Sequence, residues 1–174
     1  MRYFVVFIIA FLLAMLGVSA MPYVRVLGIT PDFVLIFAAS WAVVRGQDEA
    51  LVVVPIAGLA HDLTTSDPLG TSVLAMTPIV LLAAAVQLRS VDSQFLPAVV
   101  VVAVASLLYS IISMFVLAAI GQDVSWMQAL LRVVLPFAIV NALFTPIVYL
   151  PVHWLSPSAQ PRLLGGGRIA STLS

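Results

Sequence analysis

Long apolar runs separated by short polar punctuation organise the chain. A membrane-crossing helix needs about 20 apolar residues with few charges. The first run covers residues 3–21 and is closed by Pro22. A fourth covers 69–88 and stops at Arg89, a fifth covers 95–120, and a sixth covers 129–155. Pro136, Pro146 and Pro151 interrupt the sixth, and prolines inside membrane helices predict kinks rather than a break. Two shorter runs lie between the first and the fourth. Thr30-Pro31-Asp32 has the form of a helix start, with Thr30 as N-cap, Pro31 in the first helical position and a carboxylate in the first turn. The helix it opens spans residues 31–44, up to Arg45-Gly46-Gln47-Asp48-Glu49, and the next spans 50–63 with Pro55 and Gly58 inside it. Each is about 20 Å long at 1.5 Å per residue, short of a hydrocarbon core of about 30 Å. Such helices either thin the bilayer locally or are shielded by longer neighbours. Arg45, Asp48 and Glu49 cost about 2.5–3.5 kcal/mol each in hydrocarbon, so that tip must reach water or headgroups. The pattern predicts an all-α integral membrane protein of six helices, the second and third short.

Composition agrees and narrows the function classes. Of 174 residues, 63% are hydrophobic and 8% charged, where a soluble domain carries about 25% charged residues. A mean hydropathy of +1.22 cannot be hidden in one soluble core of this size. Seven basic residues balance seven acidic ones, which excludes a nucleic-acid binder with a basic face. No cysteine is present, so disulfides, thiolate metal sites and cysteine nucleophiles are excluded. With the N-terminus cytoplasmic, Arg2, Arg45, Arg89, Arg162 and Arg168 fall inside, and only Arg25 and Arg132 fall outside. That asymmetry predicts both termini inside. Asp32, Asp62, Asp67 and Asp123 then give the outer rim a slightly acidic character.

Arg2, the apolar run and Val18-Ser19-Ala20 have the outline of a signal peptide. The run is long for one, and its loss would leave five helices, so it is read as the first helix. Residues 1–155 are expected to form one membrane domain, and residues 156–174, with Gly165-Gly166-Gly167, a flexible cytoplasmic tail. No internal repeat is strong enough to indicate an inverted-repeat transporter.

Few side chains are positioned for chemistry. His61 and Asp62 are neighbours, but adjacent helical residues project about 100° apart and do not chelate together. The only other histidine, His153, is expected at the opposite membrane face, so no metal site is predicted. A carboxylate near a helix C-terminus is disfavoured by the macrodipole, so Asp62 needs a specific partner: an ion pair with Arg25 or Arg132, or a loop cap. Asn141, polar at membrane depth, is expected to face the bundle and hydrogen-bond a neighbour or line a pocket. Ala103, Ser106, Ser110 and Ser113 put small residues on one stripe of the fifth helix, as close helix contacts do. Trp126 and Trp154 suit interfacial belts, with Tyr109 and Tyr149 deeper. No nucleophile elbow, zincin motif or phosphate loop occurs, and no histidine is evidently held between a nucleophile and a carboxylate. No catalytic residue, cofactor site or metal site is predicted.

The order of motifs resembles the rod-shape-determining MreD family. Pro31-Asp32, then Trp41-Ala42-Val43-Val44-Arg45-Gly46, then Gly58 with Asp62-Leu63, then Ser66-Asp67-Pro68-Leu69-Gly70 carry the likeness, with Asn141-Ala142-Leu143 and Pro146 later. Each motif is common alone; their order and spacing are specific. His61 departs from the pattern, which has an apolar residue before the aspartate, and so does the glycine-bearing tail. The resemblance implies a non-enzymatic scaffold of the bacterial cell-elongation complex, multi-pass in the inner membrane and surrounded by lipid. It implies direct binding to MreC, with MreB, RodA and its penicillin-binding transpeptidase in the same complex, and a role in regulating lateral peptidoglycan synthesis. It also implies a bundle similar to the substrate-binding subunits of energy-coupling-factor transporters. That likeness supplies a competing expectation: a vitamin-like small molecule bound by His61, Asp62, Tyr109 and Asn141.

Overall fold

The computed structural model describes residues 2–20, 28–65, 68–88, 94–122 and 126–154. Arg25, Ser66, Asp67, Arg89, Asp123 and the 156–174 tail lie outside the described residues. Among the described residues every regular element is helical: α1 (Arg2–Ala20), α2 (Phe33–Arg45), α3 (Gln47–Asp62), α4 (Thr71–Met76), α5 (Pro78–Gln87), α6 (Phe95–Ala119), α7 (Trp126–Ala129), a π turn (Leu130–Val134) and α8 (Leu135–Trp154). Of these, α6 and the continuous helical stretch Trp126–Trp154 are long and apolar enough to cross a membrane by themselves.

A short apolar helix, α2, sits at the centre. In α2 every side chain from Val34 to Val43 is buried, and α1, α3, α5, α6 and α8 all pack against it. Its neighbours thus cover α2 along nearly its whole length. Val6, Ala10 and Ala14 recur every fourth residue on α1 and form its buried stripe, while Phe4, Ile8, Leu12 and Leu16 point outward. The outside of the bundle is equally apolar elsewhere, with Leu81, Leu96, Met127 and Leu143 exposed. A surface of that character is stable against lipid rather than water.

Several element boundaries differ from the sequence reading, each for a local reason. The N-cap of α2 is Asp32, not Thr30: its carboxylate accepts from the N–H groups of Val34 and Leu35, both at 3.0 Å. Pro31 therefore precedes the helix. Gly46 alone joins α2 to α3, so α3 begins at Gln47 and places Asp48 and Glu49 in its first turn, where the helix dipole favours them. Arg45 closes α2, pairs with Glu49 at 3.8 Å and lies over the Trp41 ring. The run 69–88 is not one helix. It starts at Thr71 and breaks at Thr77-Pro78, because Pro78 has no N–H for the carbonyl of Leu74. Thr77 takes up the slack, its N–H bonding Leu74 and its hydroxyl donating to Val73 O. Pro136 is met differently: the Leu135 N–H reaches back five residues to Leu130, and the wider turn absorbs the proline. The helix then runs unbroken through Pro146 and Pro151.

Candidate functional site

Where the N-terminus of α2, the C-terminus of α3 and the start of α4 meet α6 and α8, polar side chains close a ring inside an apolar bundle. His61, near the end of α3, places Nε2 3.3 Å from the Asp32 carboxylate and Nδ1 2.9 Å from the Ser72 hydroxyl. An ionised carboxylate only accepts, so the Nε2 side carries the proton, and in the neutral ring Nδ1 accepts from Ser72. The Ser72 hydroxyl is also 3.2 Å from that of Tyr109 on α6. On the other side, Asn141 of α8 accepts from the Asp32 N–H at 2.9 Å and donates to Ser106 of α6 at 2.9 Å. The Ser106 hydroxyl in turn donates a hydrogen bond to Val102 O. The contacts tie together α2, α3, α4, α6 and α8, the two branches being joined through the α6 backbone between Ser106 and Tyr109. The neutral contacts are ordinary hydrogen bonds, worth about 0.5–1.5 kcal/mol net, and the one to the Asp32 carboxylate is charge-assisted; leaving one buried partner empty costs about 1–3 kcal/mol.

Asp62 faces away from His61, as adjacent helical positions must. Its carboxylate accepts from Gly70 N at 2.7 Å and Ser72 N at 2.9 Å, holding the α3–α4 corner. Of the alternatives the sequence left open for Asp62, the loop cap is the one seen among the described residues; Arg132 is exposed on the π turn, and Arg25 lies outside the described residues. Gly70 sits at φ 95°, ψ −10°, a left-handed conformation that costs glycine nothing, and its amide is thereby aimed at Asp62. Gly58 faces the same corner, where a Cβ would lie 2.7 Å from Val73 Cα. Pro68 and Leu69 complete the turn, with Leu69 exposed.

Of the four residues expected to share a pocket, His61 and Tyr109 line one cavity; Asp62 and Asn141 do not. The cavity has a volume of about 210 Å³ and opens beside Asp32, which the sequence offered as a first-turn carboxylate, a rim charge and part of the Pro31-Asp32 motif, not as a pocket residue. On the Ala103–Ser113 stripe, Ser106 is fully buried against α8, and the half-buried Ser110 bonds back to Ser106 O. His153 stacks on Tyr149, well away in the chain from the ring.

Ser72, His61 and Asp32 stand in the order of an acyl-transfer relay, an arrangement the sequence gave no reason to expect. Ser72 has 0% exposure and is not among the residues lining the cavity. The serine instead ties α4 to α3 and α6. Sequence reasoning missed Ser72 because nothing in spacing links residues 32, 61 and 72. Among the described residues no three His, Asp or Glu side chains are grouped to hold a metal ion.

Substituting Asn141 with leucine is expected to leave the Asp32 N–H without its acceptor and to lower stability by about 1–3 kcal/mol. Thermal unfolding of the purified protein in detergent reads this directly. An unchanged melting temperature would mean that the polar ring contributes nothing to the bundle.

Residues 1–157 match the family model described as rod shape-determining protein MreD. No curated protein and no solved structure matches the chain.

Proposed function

The chain belongs to the rod shape-determining protein MreD family, a family of shape-determining membrane proteins, and from that premise we propose a non-enzymatic scaffold of the bacterial cell-elongation complex. In this reading the chain crosses the inner membrane six times with both termini cytoplasmic, binds MreC directly, and works beside MreB, RodA and its penicillin-binding transpeptidase to regulate lateral peptidoglycan synthesis. One membrane domain extends to about residue 155, followed by the cytoplasmic tail.

The observation that carries the reading is the family match over residues 1–157. The apolar outer surface supports it, because a subunit of a membrane assembly meets lipid and partner helices on that face. The arginine distribution supports the orientation. The likeness to energy-coupling-factor binding subunits belongs to the same reading, at the level of bundle shape. The small-molecule alternative receives less support: sites that enclose drug-sized ligands hold roughly 300–1,000 Å³, and the cavity beside Asp32 holds about 210 Å³.

Native mass spectrometry of the protein gently extracted from its own host membrane tests this. A stoichiometric single-span partner is the expected result. A bound small molecule with no protein partner would overturn the scaffold in favour of a ligand-binding subunit. The half-buried part of the α6 stripe gives a finer test. Ser110→Leu is expected to weaken partner capture or to lower stability, and a variant that does neither places the stripe against lipid.

A further inference from the structure

We infer that the cavity beside Asp32 is a binding site for one primary alkylammonium group. The walls supply the two features that attract such a group. One is the Asp32 carboxylate, which lines the cavity and is only 9% exposed. The other is a set of three aromatic rings, Phe33, Tyr109 and Phe137, with Tyr109 and Phe137 6.3 Å apart between ring centroids. A carboxylate among aromatic faces is the chemistry that holds an organic cation with an apolar body. Among the described residues lining the cavity, none is Lys or Arg.

The charge balance points the same way. His61 is the only ionisable side chain of the described residues that pairs with Asp32. With the imidazole neutral, the N-terminus of α2 offsets roughly half an elementary charge, and the carboxylate exceeds it. The remaining negative charge on this nearly buried carboxylate favours a cation. Lone pairs decide which kind. One carboxylate oxygen accepts two N–H bonds from Val34 and Leu35, and the other faces His61. A single acceptor position remains, which suits a point-like ammonium and leaves no parallel pair for the guanidinium fork. The volume of about 210 Å³ limits the body to a short chain. A free amine and a lysine of a partner both carry this group, and the site is independent of whether the protein is a scaffold.

The test uses the purified full chain in detergent with n-butylammonium chloride as probe, against n-butanol and sodium chloride at matched concentration. A saturable rise in melting temperature of roughly 5–10 °C at a hundredfold excess over Kd is expected with the ammonium alone. Asp32→Asn keeps a residue that caps helices well and should abolish the rise. Phe137→Leu should reduce it, and it carries the test if the first variant does not fold. Equal behaviour of butylammonium and butanol overturns the site, as does a full rise in either variant. Extraction from the host membrane then separates the sources. Partner retention lost together with the butylammonium response identifies a partner's lysine. Retention kept while the response is lost identifies a free amine. A wild-type chain that responds to butylammonium but retains no partner defeats the scaffold and leaves this site standing.

Discussion

Gly58→Ala is expected to destabilise the bundle by about 2–3 kcal/mol, although alanine is the better helix former. The added methyl would lie 2.7 Å from Val73 Cα, 2.8 Å from Val73 N and 3.1 Å from the Ser72 carbonyl carbon. All three atoms are backbone, so no rotamer change relieves the contact, and α4 has to move as a unit. Its movement also strains two bonds at the same corner, from Ser72 N to Asp62 and between the Ser72 hydroxyl and His61. Gly17→Ala on α1 is the matched control. A Cβ there meets nothing within 4 Å, and the substitution should be neutral or stabilising by up to about 1 kcal/mol. Thermal unfolding of both variants in the same detergent separates the cases. Equal melting temperatures for the two would show that α3 and α4 do not approach closely.

The pair also illustrates how far a sequence speaks. Apolar runs located the helices to within a few residues, because lipid and core both demand apolar side chains at every turn. Ends were harder. Asp32, not Thr30, caps α2, since the carboxylate reaches two N–H groups that a residue two positions earlier cannot. The break at Thr77-Pro78 lies inside an apolar run and leaves no trace in hydropathy, only a proline. The site was least legible. Asp32, His61 and Ser72 meet because three helix ends converge, a tertiary fact with no period or spacing to announce it. The motif residues Gly58, Asp62 and Gly70 were recognisable as a pattern, and their physical sense emerges only together: close approach, acceptor and aimed amide at one corner.

Asp62→Ala is expected to be the most damaging single substitution at that corner, costing about 2–5 kcal/mol. The carboxylate satisfies two backbone N–H groups, and a buried donor without its partner forfeits about 1–3 kcal/mol. Asp62 itself is 2% exposed, so water does not readily replace it. Asp62→Asn keeps one acceptor oxygen and turns an amide NH₂ toward the remaining N–H, which predicts an intermediate loss. Thermal unfolding should therefore rank wild type above Asp62→Asn, and Asp62→Asn above Asp62→Ala. Arg132→Gln supplies the discriminating control. If the aspartate works as a loop cap, removing the exposed arginine changes stability by no more than about 0.5 kcal/mol, as for an ordinary surface site. A loss from Arg132→Gln as large as that from Asp62→Asn would instead establish an ion pair and sink the cap. The cap also explains why an acidic residue is tolerated at the C-terminal end of α3, where the helix dipole opposes it. Two short charge-assisted bonds at 2.7 and 2.9 Å outweigh a dipole penalty of about 0.3–1 kcal/mol, and they fix the direction in which the chain enters α4.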